Sequence, residues 1–265
     1  MLTNYHTHTT YCDGKSTVEE IVLSAISHGF DAIGFSGHGY TPFDLSYCMK
    51  DTAGYLAEVR RVAEKYKKDI EVYAGVEEDA FAPVKREGFD YIIGSSHYFL
   101  IGGRYYPIDW EPDTVRECID LCDGDAVRLA EDYYSAFCRY LNTYHPHIIG
   151  HFDLLTKFDE QAPIFLNNAD YRRIACHYVM EAAKSGGIFE INTGAISRGY
   201  RTAPYPHEEL LYLLKRENAK VMLSSDSHSA HTLDFGFDDA RRLLREVGFT
   251  SVTVLHRGEF VSQPL

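Results

Sequence analysis

Short runs of β-forming residues, each followed by a longer segment with apolar positions spaced three and four apart, recur along the whole chain. The runs occupy residues 2–6, 32–36, 70–76, 91–95, 148–151, 187–191, 221–225 and 251–255. The amphipathic segments between them occupy residues 17–28, 52–67, 125–141, 169–184, 207–217 and 234–246. Repetition of strand then helix predicts βα units built around a parallel sheet, hence an α/β fold. No Ser/Gly-rich linker, charge block or solenoid-type repeat interrupts the pattern, so residues 1–265 read as one domain. Two stretches, 39–51 and 98–123, lack clear periodicity and carry Pro, Gly, Tyr and Trp, as expected of loops at the rim of a binding site.

Composition narrows the possibilities. The chain has 265 residues, 45% hydrophobic and 14% aromatic, which suits one large core of the size that closes a βα barrel. Lys and Arg total 26 against 39 Asp and Glu, a net charge of −13, so long nucleic acid is a poor partner for the surface as a whole. The six cysteines form no CxxC pair, and no stretch approaches the roughly 18 apolar residues that span a bilayer. The expectation is a cytoplasmic protein with reduced thiols, without a secretion signal or membrane partner.

The chemistry gathers at the ends of the strand candidates. His6 and His8 stand two residues apart at the end of the first run, where a period of two points both imidazoles to one side. Asp13 follows in the same loop, His38 comes after 32–36, Glu77 after 70–76, and His97 after 91–95. His151 ends the fifth run, and Asp226 with His228 follow 221–225. In a parallel barrel the carboxyl ends of all strands share one face, where enzymes of this architecture keep their active sites. Nine ligand-type side chains would therefore converge on one mouth.

Imidazole and carboxylate donors without thiolate suit zinc, iron or manganese, and nine exceed the needs of a single ion. Two or three divalent ions are implied, with Glu77 suited to bridge. Ions held ~3.5–4 Å apart lower the pKa of a shared water and clamp the oxygens of an in-line phosphoryl displacement.

The motifs His6-Thr7-His8, Asp13-Gly14, Ser36-Gly37-His38, Gly75-Val76-Glu77, Gly94-Ser95-Ser96-His97, Gly150-His151-Phe152-Asp153 and Ser225-Asp226-Ser227-His228 resemble, in order and spacing, those of the polymerase and histidinol phosphatase domain family. The resemblance runs from residue 6 to 228 and implies a distorted (β/α)7 TIM-like barrel. That ring is one strand short of the eight runs counted, which would leave 251–255 outside it. It also implies one ion on His6, His8, Glu77 and Asp226, a second on Glu77, His97 and His151, and a third on Asp13, His38 and His228.

Within that family, Asn192-Thr193, Arg198 and Tyr205-Pro206 resemble a segment of the histidinol-phosphate phosphatases. The resemblance implies hydrolysis of a small phosphate ester, L-histidinol phosphate, by a metal-bridging hydroxide, with Asp226, His228 and Arg198 as catalytic residues. Arg198 would hold the phosphate, since a guanidinium grips phosphate bidentately, with Arg201 as a fallback and Lys157 as a second cation. An imidazole- and ammonium-bearing substrate also calls for carboxylates and aromatic faces, and the 98–113 loop offers Tyr105, Tyr106, Asp109, Trp110 and Glu111. Two rival readings keep the metal site: action on nucleotides or oligonucleotide ends, and a non-catalytic metal-binding domain.

Other signals carry less. His28, His145, His147, His177, His207, His231 and His256 fall outside the strand-end pattern and read as structural or solvent-facing. Glu78 and Asp79 adjoin Glu77 and would be alternative ligands if the strand register slipped by one. Gly34-Phe35-Ser36-Gly37-His38 lacks the final glycine of a nucleophile elbow, and neither a Walker loop nor a dinucleotide fingerprint is present.

Overall fold

The computed structural model describes residues 1–265. Its strands are β1 (Thr3–Asn4), β2 (Ala32–Phe35), β3 (Glu71–Asp79), β4 (Tyr91–Ser95), β5 (Tyr98–Ile101), β6 (Arg104–Pro107), β7 (Ile148–Ile149), β8 (Ile188–Asn192), β9 (Val221–Ser224), β10 (Ser251–His256) and β11 (Glu259–Pro264). The helices are α1 (Val18–Ser27), α2 (Thr52–Tyr66), α3 (Pro112–Leu121), α4 (Ala126–Tyr144), α5 (Ala169–Ala183), α6 (Gly194–Ser197), α7 (Glu208–Arg216) and α8 (Phe237–Val247).

Seven strands form one parallel sheet in the order β1-β2-β3-β4-β7-β8-β9. A parallel bridge between Thr7 and Ser227 closes it into a ring, secured by His8 N–H to Ser227 O at 2.8 Å and Ser227 N–H to His6 O at 3.1 Å. This is the distorted seven-stranded barrel expected from the motifs. Helices cover its outside because their apolar faces match it: α1 buries Val18, Ile21, Val22 and Ala25 and starts at a capping box between Thr17 and Glu20.

The eighth predicted strand, β10, lies outside the ring and pairs antiparallel with β11. Its Val254 and Leu255 pack among Tyr5, Ile148, Ile188 and Met222, and Tyr5 Oη donates to Leu255 O at 2.6 Å. Ile148, Ile188 and Met222 lie in the first two positions of β7, β8 and β9, so the hairpin plugs the floor opposite the strand ends. Inside the ring, the Tyr91 ring fills the space above Gly75, where an added Cβ would come within 2.3 Å of it. The barrel is thus a packed core, open only where the ligands lie.

One expected loop is more ordered than its sequence suggested. The 98–123 stretch contains the β5–β6 hairpin and α3. The hairpin turns at Gly102 and Gly103, both at positive φ (58° and 82°), a conformation that favours glycine and matches a two-residue hairpin turn. That turn signal and the flanking Tyr, Phe and Ile were legible and were outweighed by the Pro and Gly content.

Candidate metal centre and cleft

All nine expected ligands meet at one mouth of the ring, and Glu77 stands at their centre. Its Oε2 lies 3.2 Å from His6 Nε2, 3.5 Å from His8 Nε2 and 3.0 Å from His38 Nδ1. Its Oε1 lies 3.4 Å from His97 Nε2 and 3.1 Å from His151 Nε2. Asp226 Oδ1 completes the first set, 3.5 Å from His6 Nε2 and 3.2 Å from His8 Nε2. Asp13 Oδ2 lies 3.2 Å from His228 Nε2 and 3.7 Å from His38 Nε2, and His8 Nδ1 is 3.5 Å from Asp13 Oδ1. His8 and His38 therefore join neighbouring groups together.

Strand alternation explains the aim of each side chain. Thr7 turns away from the mouth, its hydroxyl donating to Gly34 O, while His6 and His8 face in. Glu78 likewise turns outward from Glu77 and is held by Arg86, the Tyr140 hydroxyl and the Val84 N–H. Asp79 returns to the inner side and accepts from the His97 backbone N–H at 2.8 Å, with His97 Nδ1 at 3.3 Å. Behind His6, Glu190 accepts from Nδ1 at 2.5 Å, so Nε2 is the nitrogen turned to Glu77. Glu190 also accepts from the His151 N–H at 2.9 Å. Asp79 and Glu190 escaped the sequence reading as orienting groups, although Glu190 could have been found as an inward acid on the strand that ends at Asn192.

The donor set fits cations. His6 Nε2, His8 Nε2, Glu77 Oε2 and His151 Nδ1 are buried without a hydrogen-bond partner, a cost normally avoided. Lone pairs of imidazole and carboxylate crowded without donors are what a zinc-, iron- or manganese-type ion satisfies. Three groups are close enough to serve: His6, His8 and Glu77; His38, Glu77 and His97; and His8, Asp13, His38 and His228.

Electrostatics agree. Burial works against charge on His6, but Glu190, Glu77 and Asp226 outweigh it and lift the imidazole to about 10. His8 and His97 are also held well above the usual histidine range, against burial, by Asp13 and by Glu77 respectively. Burial pushes Glu77 and Asp226 up; His6, His38 and His97 bring Glu77 far below the carboxylate range, and Arg198 and His6 do the same for Asp226. His228 goes the other way, lowered by burial and by His8.

Above the ligands opens a cleft of about 720 Å³. Arg198 lies in it, its Nη2 2.9 Å from Asp226 Oδ2 and its Nη1 3.2 Å from His228 Nδ1. Lys157 lines the same cleft and donates to Asp109 O at 2.6 Å. Of the other sequence candidates, Asp109 and Trp110 line the cleft, and Arg201, Tyr105 and Glu111 do not. Arg201 is buried, with Nη1 donating to Thr156 Oγ1 at 2.7 Å and its guanidinium 4.2 Å above the Tyr205 ring, so it is a packing cation and no phosphate fallback. Tyr105 stacks on Phe43 with ring centroids 3.7 Å apart, and Glu111 precedes α3 as its cap residue; neither lines the cleft. Both lie in the 98–123 stretch, where hairpin pairing and the helix start decide where they point. Asp44, Tyr47, Tyr98 and Tyr200 line the cleft as well.

All six cysteines are free, and no helix is long and apolar enough to cross a membrane.

Comparison with known proteins places these features in context. The chain is 28% identical to a Schizosaccharomyces pombe protein named "Probable histidinol-phosphatase", over 96% of this chain and 89% of that one. It is 24% identical to the histidinol-phosphatase of Lactococcus lactis subsp. lactis, over 93% and 91%. The fold matches a crystal structure of histidinol phosphate phosphatase from Lactococcus lactis subsp. lactis, complexed with zinc, L-histidinol and phosphate, with a TM-score of 0.72. That match has 20% identity and covers 98% of each chain. The PHP domain profile matches residues 4–194, which carry seven of the nine converging side chains. From β1 to the start of α6, and so over most of its length, the chain belongs to the PHP domain family.

Proposed function

We propose that the chain, acting as one domain over residues 1–265, is a metal-dependent phosphomonoesterase that hydrolyses L-histidinol phosphate to L-histidinol and phosphate. The observation that carries this reading is the division of Glu77: one oxygen faces His6, His8 and His38, the other His97 and His151. A carboxylate used from both sides suits a bridge between two ion positions, with Asp13, His38 and His228 offering a third. Two or three zinc, iron or manganese ions would be held by the nine ligands. Bound there, they supply Lewis acidity toward phosphoryl oxygens and a water of lowered pKa.

The chain's own residues would do the rest. Arg198 is positioned by Asp226 and His228 to hold a non-bridging phosphoryl oxygen, and Lys157 adds a second positive charge. Asp226 presents Oδ1 to His6 and His8 and Oδ2 to the guanidinium, and so couples ligand geometry to phosphate orientation. Burial of His6, His8, Glu77, His97, His151 and Asp226 keeps bulk water from competing for these contacts. The names of the curated relatives support the choice of substrate, and the net charge of −13 weighs against long nucleic acid.

The test is a panel of L-histidinol phosphate, nucleoside monophosphates and a single-stranded oligonucleotide, assayed for phosphate or nucleotide release after reconstitution with manganese, iron or zinc. L-Histidinol phosphate should give the highest kcat/KM. A higher value for a nucleotide would move the reading to another ester, and metal binding without any hydrolysis would leave a non-catalytic domain.

A further inference from the structure

We infer that Asp44 is a specificity-determining residue that receives the cationic end of the substrate, an organic ammonium or imidazolium group, in the cleft that also holds Arg198 and Lys157. The inference rests on the phosphomonoesterase reading and deepens it. Five acids line the cleft: Asp13, Asp44, Glu77, Asp109 and Asp226. Four of them face histidine, arginine or lysine inside the protein, as Asp13 faces His228, Glu77 faces His6, Asp109 faces Lys157 and Asp226 faces Arg198. Asp44 has only neutral partners. Its Oδ1 accepts from the Ser46 N–H at 3.0 Å and the Ser46 hydroxyl at 2.6 Å, and its Oδ2 accepts from the Tyr98 hydroxyl at 2.9 Å.

Those three hydrogen bonds fix the carboxylate's orientation and favour its ionised form: partial burial pushes it up, and Ser46 and Tyr98 bring it below the ordinary range. A pre-oriented negative charge with no counter-charge in the protein is available to a ligand's positive charge. Its surroundings suit an organic cation. Tyr47, Tyr98 and Trp110 line the cleft with it, the Trp110 side chain lies open to solvent, and aromatic faces attract ammonium and imidazolium groups.

Position supplies the polarity of the site. Asp44 follows β2, whereas Lys157 follows β7 and Arg198 follows β8. In the ring order β1-β2-β3-β4-β7-β8-β9, β2 stands across from β7 and β8. The Tyr47 ring lies 4.7 Å from the His38 ring, so this wall begins beside the metal centre. The loop carrying Asp44 thus starts from a strand opposite those that lead to Lys157 and Arg198, and a substrate with phosphate at one end and positive charge at the other would find matching groups in one cleft.

The experiment compares kcat/KM for cationic and neutral phosphomonoesters, L-histidinol phosphate and phosphoethanolamine against ethyl phosphate, in the parent and in Asp44→Asn and Asp44→Glu. Asn removes the charge and keeps one acceptor, for Ser46; in place of the second it offers an NH2 group, from which the Tyr98 hydroxyl can accept. The cationic-to-neutral ratio should fall at least tenfold in Asp44→Asn, mainly through KM, and be largely retained in Asp44→Glu. Because each ratio is taken on one preparation, a loss of folded protein cancels. An unchanged ratio in Asp44→Asn overturns the inference. Calorimetric binding of L-histidinol itself, expected to weaken at least tenfold in Asp44→Asn, judges Asp44 without hydrolysis; equal binding overturns it as well. If the parent prefers phosphoethanolamine to L-histidinol phosphate, the substrate named above fails while Asp44 is still judged by the same ratio.

Discussion

His6 is gripped between two acids: its Nδ1 donates to Glu190 Oε1 at 2.5 Å, and its Nε2 stands 3.2 Å from Glu77 Oε2. A carboxylate behind an imidazole sets the tautomer, fixes the ring plane and makes the forward nitrogen a better donor to a cation. Glu190 also holds the backbone of His151 and accepts from Asn192 Nδ2 and the Ser224 hydroxyl, so one acid steadies two ligand-bearing strand ends.

Glu190→Gln is accordingly expected to weaken metal binding by roughly 10–100-fold, the usual effect of losing such an orienting partner. Chelator competition followed by metal analysis checks this. Unchanged affinity would show that His6 is held by packing alone.

Glu77 and Glu78 are adjacent, equally buried and opposite in role. Glu77→Ala should abolish phosphatase activity and reduce bound metal, with the far-ultraviolet circular dichroism retained. Glu78→Gln should keep the metal and cost stability instead, about 1–3 kcal/mol, because Arg86, Tyr140 and the Val84 N–H lose a charged acceptor. Metal analysis and urea unfolding of both variants separate the two outcomes.

Metal loading should release protons. His6 is raised to about 10, and His8 and His97 are raised as well, so at neutral pH these rings carry protons that a cation must displace. Raised values mean stronger proton competition as pH falls, so apparent metal affinity should decrease from pH 8 to pH 6. Calorimetry in buffers of different ionisation enthalpy measures the release; a heat independent of buffer would contradict it.

The two arginines should separate in assay. Arg198→Lys loses bidentate geometry in the cleft, and kcat/KM should fall roughly tenfold or more, consistent with about 1.5–3 kcal/mol for a charge-assisted hydrogen bond. Arg201→Leu removes a buried cation 4.0 Å from the buried Asp153 and should cost about 3–5 kcal/mol of folding stability. Steady-state kinetics for the first and urea unfolding for the second decide whether the roles are assigned correctly.

The local rules were readable directly. A two-residue period put His6 and His8 on one side and separated Glu77 from Glu78, alternation of strand with helix announced a parallel sheet, and the family resemblance implied its closure into a ring. These properties depend on neighbours in the chain, so a linear pattern contains them. The hairpin at 98–107 is written in Gly102-Gly103 and its flanking aromatics, a turn signal that the surrounding Pro and Gly content obscures.

By itself the sequence determined which residues could serve as ligands and that the ends of successive strands would present them, because side-chain direction and strand order are properties of the backbone. Only the tertiary structure decided that Arg201 packs inside while Arg198 faces the cleft, that Tyr105 and Glu111 turn away, and that Glu190 and Asp44 matter. Each of those outcomes depends on partners distant in sequence, Arg201 with Thr156 and Tyr205, Glu190 with His6, Asp44 with Tyr98, and such pairings come into being only when the ring closes.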